Sequence, residues 1–174
     1  MVMVQEKKND LAETFEKYRV LFSKEESDED LVFAATKTIE GLLTQALRKF
    51  LLKSTDSDTL FDPKKPLEPF HAKISIASRM GLISAGLADE LRLLREIRRE
   101  FRQKIDCATL DYEDVVAFCN NLKAPMQIRS RSIYANEHYP DTPRGNFELT
   151  VTILSSLLDD ILSRTERTST APLH

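Results

Sequence analysis

Leu87–Ile105, LADELRLLREIRREFRQKI, contains neither Gly nor Pro, and its reading decides the fold. Leu87, Leu91, Leu94, Phe101 and Ile105 fall at helical spacing and share one face. That face continues through Arg98. A guanidinium is therefore expected within an apolar stripe, where a buried charge is costly unless paired. Arg92, Arg95, Arg99 and Arg102 form a second, basic stripe beside it. One helix thus carries a core face and a basic face.

Outward from this helix the same period recurs. Phe70–Arg79 offers Ala72, Ile74, Ile76 and Ala77 for burial, Gly81 reads as its stop, and Ser84 as the cap of the helix that follows. Upstream, Val32, Ala35, Ile39, Leu42, Ala46 and Phe50 form the inner face of a helix running to about Lys53. Ser27 with Asp30 resembles a capping box at its start. Leu11, Phe15, Tyr18 and Phe22 suggest a first helix over Asp10–Phe22, joined to the second by the acidic run KEESDED, read as a solvated connection. Prolines break Lys53–Pro69, which Leu60, Phe61 and Leu67 should pin to the body.

Downstream, Asp111 is expected to cap a helix holding Val115, Val116, Phe118, Cys119 and Leu122. Lys123–Asn146 reads as an irregular loop containing Pro125, Pro140, Pro143 and Gly145. A last helix from about Asn146 to Arg164 has Phe147, Val151, Leu154, Leu158 and Ile161 on one face. Strand signals are almost absent. The expected fold is all-α: a single-domain bundle of six or seven helices packed around Leu87–Ile105. Residues 1–26 form an N-terminal helix and acidic connection, 27–164 the main all-α body, and 165–174 a tail.

With 174 residues the chain is long enough for one core. A net charge of -3 argues against non-specific coating of nucleic acid but allows a local basic patch. No apolar run reaches bilayer length, and Cys107 and Cys119 fit reduced thiols. The expectation is a soluble, cytoplasmic protein with no membrane partner. The histidines (His71, His138 and His174) lie far apart in sequence, and there is no phosphate loop or nucleophile elbow. We expect no enzyme activity, no metal and no cofactor.

The candidate binding residues are basic. Arg98 is either a structural arginine held by a carboxylate or an anchor for an anionic group. The stripe of Arg92, Arg95, Arg99 and Arg102 is either a solvated face balanced by Glu90, Glu96 and Glu100, or a surface for phosphate or an acidic protein. Arg129 and Arg131, with Tyr134 and Tyr139, interleave basic and aromatic residues as single-stranded nucleic-acid sites do, but four residues are a weak signal and ordinary loop composition explains them better.

Several fragments carry a family resemblance: LFDPKKPLEPF at Leu60–Phe70, MGLIS at Met80–Ser84, LREIRREFRQ at Leu94–Gln103, Cys119 with Leu122, and PRGNF at Pro143–Phe147. Together they resemble the mannitol operon repressor family over roughly the C-terminal two thirds. The resemblance implies an all-helical bacterial transcriptional repressor, and no helix-turn-helix is recognisable. Leu94–Gln103 is also similar to a degenerate form of the motif of HEPN-type ribonucleases. In that alignment Arg98 is the motif arginine, Arg99 replaces its polar neighbour, and Gln103 stands where active members have His. An amide cannot serve as general acid or base near neutral pH. The expectation is a non-enzymatic regulator whose partner is another regulatory protein or a second copy of itself. The alternative is a HEPN-like RNA-binding or ribonuclease-derived helical domain lacking the catalytic His. Direct operator binding has no sequence warrant, because the turns SAGLADE are small and acidic where a recognition helix presents polar readers.

Overall fold

The computed structural model describes residues 2–51, 59–103, 109–130 and 133–166; of residues 2–10, 133, 134 and 136 it describes only the backbone. Arg131, Ile105, Cys107, Lys53 and the tail from 167 lie outside the described residues, as does the side chain of Tyr134. Among the described residues there are eight helices and no strand. They are α1 (Val2–Phe22), α2 (Asp28–Phe50), α3 (Phe70–Arg79), α4 (Ala85–Gln103), α5 (Glu113–Asn120), α6 (Lys123–Arg129), α7 (Ile133–His138) and α8 (Pro143–Arg164). The chain is an all-α single-domain bundle.

The packing centre is not α4. The most extensive contact joins α2 to α8, and α1 also packs along α8. Helix α4 flanks this pair, held by α2, α3 and α5. The reason lies in α8, whose Thr150, Thr152, Ser155 and Ser156 are buried among Phe147, Leu149, Val151, Leu154 and Leu158. Small hydroxyl side chains admit neighbouring backbones closely, and most satisfy themselves within the helix. The hydroxyls of Thr150, Thr152 and Ser156 donate to the carbonyls of Asn146, Glu148 and Thr152 at 2.7, 2.8 and 2.8 Å. Ser155 Oγ is buried with no hydrogen-bond partner among the described residues. Ser155→Ala should therefore stabilise the protein by about 1 kcal/mol, since it removes an unpaired polar atom and leaves little void. A urea midpoint that falls would contradict this.

Several boundaries follow local chemistry. Ser27 caps α2 by accepting from the Asp30 amide at 3.0 Å, and Ser84 Oγ accepts from the Leu87 amide at 3.2 Å. Gly81, at φ 71°, ends α3. Three expectations need correction. Asp111 does not cap α5; the N-cap is Tyr112, whose side chain makes no capping hydrogen bond to the helix. The stretch read as a long irregular loop contains α6 and α7, with Pro125 in the first turn of α6, where a missing amide costs nothing. Helix α8 begins at Pro143, because Thr142 caps it by accepting from the Gly145 amide at 3.1 Å and Pro143 suits the first helical position.

The acidic connection is also more than solvated. Asp28 accepts from Arg144 Nη1 at 2.6 Å, the Leu110 amide at 2.7 Å and Thr109 Oγ1 at 3.1 Å. It ties the start of α2 to α8 and to the segment before α5. Likewise Asp159, on the edge of α8, accepts from Lys17 Nζ at 2.8 Å and Tyr18 Oη at 2.9 Å, fastening α1.

Candidate binding cleft

On α4, Leu87, Leu91, Leu94 and Phe101 are buried as expected, but the stripe passes through Ile97, which is fully buried. Arg98 stands one position round the helix, at the edge of the core. From there its Nη1 donates to Glu40 Oε2 of α2 at 2.9 Å. Lys73 of α3, only 8% exposed at its side chain, donates to Glu40 Oε1 at 2.8 Å. One carboxylate thus joins three helices. Burial works to raise the Glu40 pKa, but the bonds from Lys73 and Arg98 outweigh it and hold the carboxyl below its ordinary value.

Above this triad, the last turns of α4 and the start of α3 enclose an open cleft of about 430 Å³. Arg95, Arg98, Arg99, Arg102 and Gln103 line one wall. Glu68, Pro69, Phe70 and His71 line the other, with Glu40 between them. The arginines differ in how they are held. Arg95 Nη1 donates to Glu96 at 2.8 Å, and Arg99 pairs with Glu96 and, at 3.5 Å, with Glu100. Arg102 has no carboxylate partner among the described residues, and its guanidinium lies 5.9 Å from the centroid of the Phe33 ring. The arginines of these pairs are exposed to about half, whereas Glu100 is buried and Glu96 largely covered, and pairs with an exposed partner are individually weak.

The remaining candidates lie elsewhere. Arg92 is exposed, bonded to Asp89 at 2.6 Å, and does not line the cleft. Arg129 is structural. It donates to the carbonyls of Tyr139 and Pro140 at 2.8 and 2.9 Å and to Asn146 Oδ1 at 2.7 Å, pinning the connection from α7 to α8. Tyr139 is buried against Leu149 and edge-on to Phe15, so it offers no stacking face to a base. Glu90 does not balance the arginine stripe. It is buried, and its Oε1 accepts from the Lys123 amide at 3.0 Å, capping α6.

Sequence reasoning missed Glu40, Lys73 and Glu68 as neighbours of the arginines and read His71 apart from them. Cys119 is a free, buried thiol whose pKa burial pushes up to about 12, so it is inert at neutral pH. At pH 8, iodoacetamide should leave the peptide containing Cys119 unmodified in native protein and alkylate it in urea; mass spectrometry reads both, and native alkylation would contradict the burial. Among the described residues no group of His, Cys, Asp and Glu is placed to hold a metal ion, and no helix is long and apolar enough to cross a membrane. No family model, no curated protein and no solved structure matches the chain.

Proposed function

We propose that the chain is a non-enzymatic regulator of the mannitol operon repressor type, acting by contact with another regulatory protein or a second copy of itself. One observation carries the preference for protein over duplex DNA. The first turns of α4, which a recognition helix would insert into the major groove, are occupied by the core: Leu87, Ala88, Glu90 and Leu91 are buried there. The exposed positions of those turns are Ala85, Gly86 and Asp89, which offer no base-reading amide and one negative charge.

The test is a reporter placed behind the promoter upstream of the chain's own gene, in cells lacking that gene. Restoring the wild-type chain should lower expression several-fold. Unchanged expression would remove the regulatory reading.

A second reading, an RNA-binding domain derived from HEPN-type nucleases, is favoured by one feature. Arg98, Gln103 and His71 line the same cleft. Arg98, the motif arginine of that alignment, has its Nη1 committed to Glu40, and Gln103 stands in place of the motif His. Retention of single-stranded RNA without cleavage would support this reading; absence of retention would end it.

A further inference from the structure

We propose that the cleft between α3 and the last turns of α4 binds a small phosphorylated molecule, with Arg95, Arg99 and Arg102 holding its phosphate monoester. This goes beyond the regulatory reading and does not depend on it. Four guanidinium groups line the cleft against two carboxylates, Glu40 and Glu68. Glu40 is already paired with Lys73 and Arg98. Even with Glu96 and Glu100 behind the arginines the surroundings stay net positive, which suits an anion such as a phosphate monoester, at roughly -1.5 to -2 at neutral pH.

Donor capacity points the same way. Each guanidinium has five N–H donors in a planar fork suited to phosphate oxygens. Arg95 uses Nη1 on Glu96, Arg99 directs its two Nη groups to Glu96 and Glu100, and Arg102 bonds no carboxylate among the described residues. Glu96 and Glu100 do not line the cleft. They orient the arginines from outside it while leaving further donors for a ligand. The volume of about 430 Å³ lies near the lower end of the range for small-molecule sites and is too small for a duplex. The exposed Gln103 amide and His71 ring complete a polar lining suited to the hydroxyl-bearing remainder of such a ligand.

The test is isothermal titration of the full chain with pyrophosphate, glucose 6-phosphate, glucose and a single-stranded oligonucleotide lacking terminal phosphates. The expected result is saturable binding of pyrophosphate and glucose 6-phosphate, and none of glucose. Affinity should fall at least about tenfold in R99Q/R102Q, the loss of one or more charge-assisted bonds. Arg92→Gln, which removes one positive charge from the same helix outside the cleft, should leave affinity unchanged. Thermal midpoints of both variants should stay near wild type, because the altered side chains are exposed. No saturation by either phosphate up to about 10 mM would overturn the proposal. So would equal weakening by Arg92→Gln, which signals only the general field of the helix. Oligonucleotide binding that weakens in R99Q/R102Q while neither small phosphate saturates would assign the cleft to nucleic-acid phosphates and equally overturn it.

Discussion

Gly145→Ala should destabilise the protein by about 3 kcal/mol, read as a lower urea midpoint at unchanged slope. A Cβ built on Gly145 would lie 2.0 Å from the Pro140 carbonyl oxygen, 2.9 Å from its carbonyl carbon and 3.1 Å from its nitrogen. These are backbone atoms, and the oxygen is not free to retreat. It accepts from Arg129 Nη2 at 2.9 Å and from the Thr142 amide at 2.9 Å. Relief would require moving the connection from α7 to α8, the Arg129 anchor and the cap of α8 together. Gly41, in the interior of α2, is the internal control. Nothing lies within 4 Å of its virtual Cβ, so Gly41→Ala should stabilise by about 0.5–1 kcal/mol through helix propensity. If both substitutions moved stability the same way, the close approach at Pro140 would not be the cause.

Glu40→Ala should cost about 3–5 kcal/mol, the usual effect of removing one partner of a buried ion pair. Its severity comes from Lys73, whose ammonium would remain almost buried with the Glu40 carboxylate gone. Arg98, with its side chain 20% exposed, can swing toward solvent and loses less. Lys73→Met in the Glu40→Ala background should recover much of the loss, because the uncompensated charge disappears; a double-mutant cycle with no coupling would contradict the triad. The pH dependence has a definite sign. The folded-state pKa of Glu40 lies below its ordinary 4.5. Its contribution is therefore fully present above about pH 4.5 and is lost as pH falls through the depressed value. Glu40→Gln should flatten this acid limb of the stability curve while leaving its shape above pH 6 unchanged.

How much of this was legible in the sequence depends on the range of the interaction. The helices follow from periodicity, and Ser27, Gly81 and Ser84 mark their ends as local chemistry dictates. The error at Arg98 has a simple source. Spacings of three and of four both continue a helical face, so Leu94 leads equally to Ile97 or Arg98. Only packing against α2 chooses Ile97 and leaves Arg98 to reach Glu40, 58 positions earlier. No local pattern announces that pairing, nor the bond between Asp28 and Arg144, 116 positions apart. The prolines near 140 misled for another reason. Pro143 reads as a breaker in sequence, whereas after the Thr142 cap it starts α8. The convergence of the α4 arginines with His71 required the packing of α3 against α4, and no local pattern announces which faces meet.

The central functional claim is that the chain regulates through contact with a protein and not by reading duplex DNA. Its most direct test is titration of the purified protein with a labelled duplex from upstream of its own operon, at two salt concentrations and against a scrambled duplex. The account predicts binding to the two duplexes that is equal and weak. Binding that favours the native sequence and falls steeply with salt would mean base readout with phosphate contacts, and would contradict it.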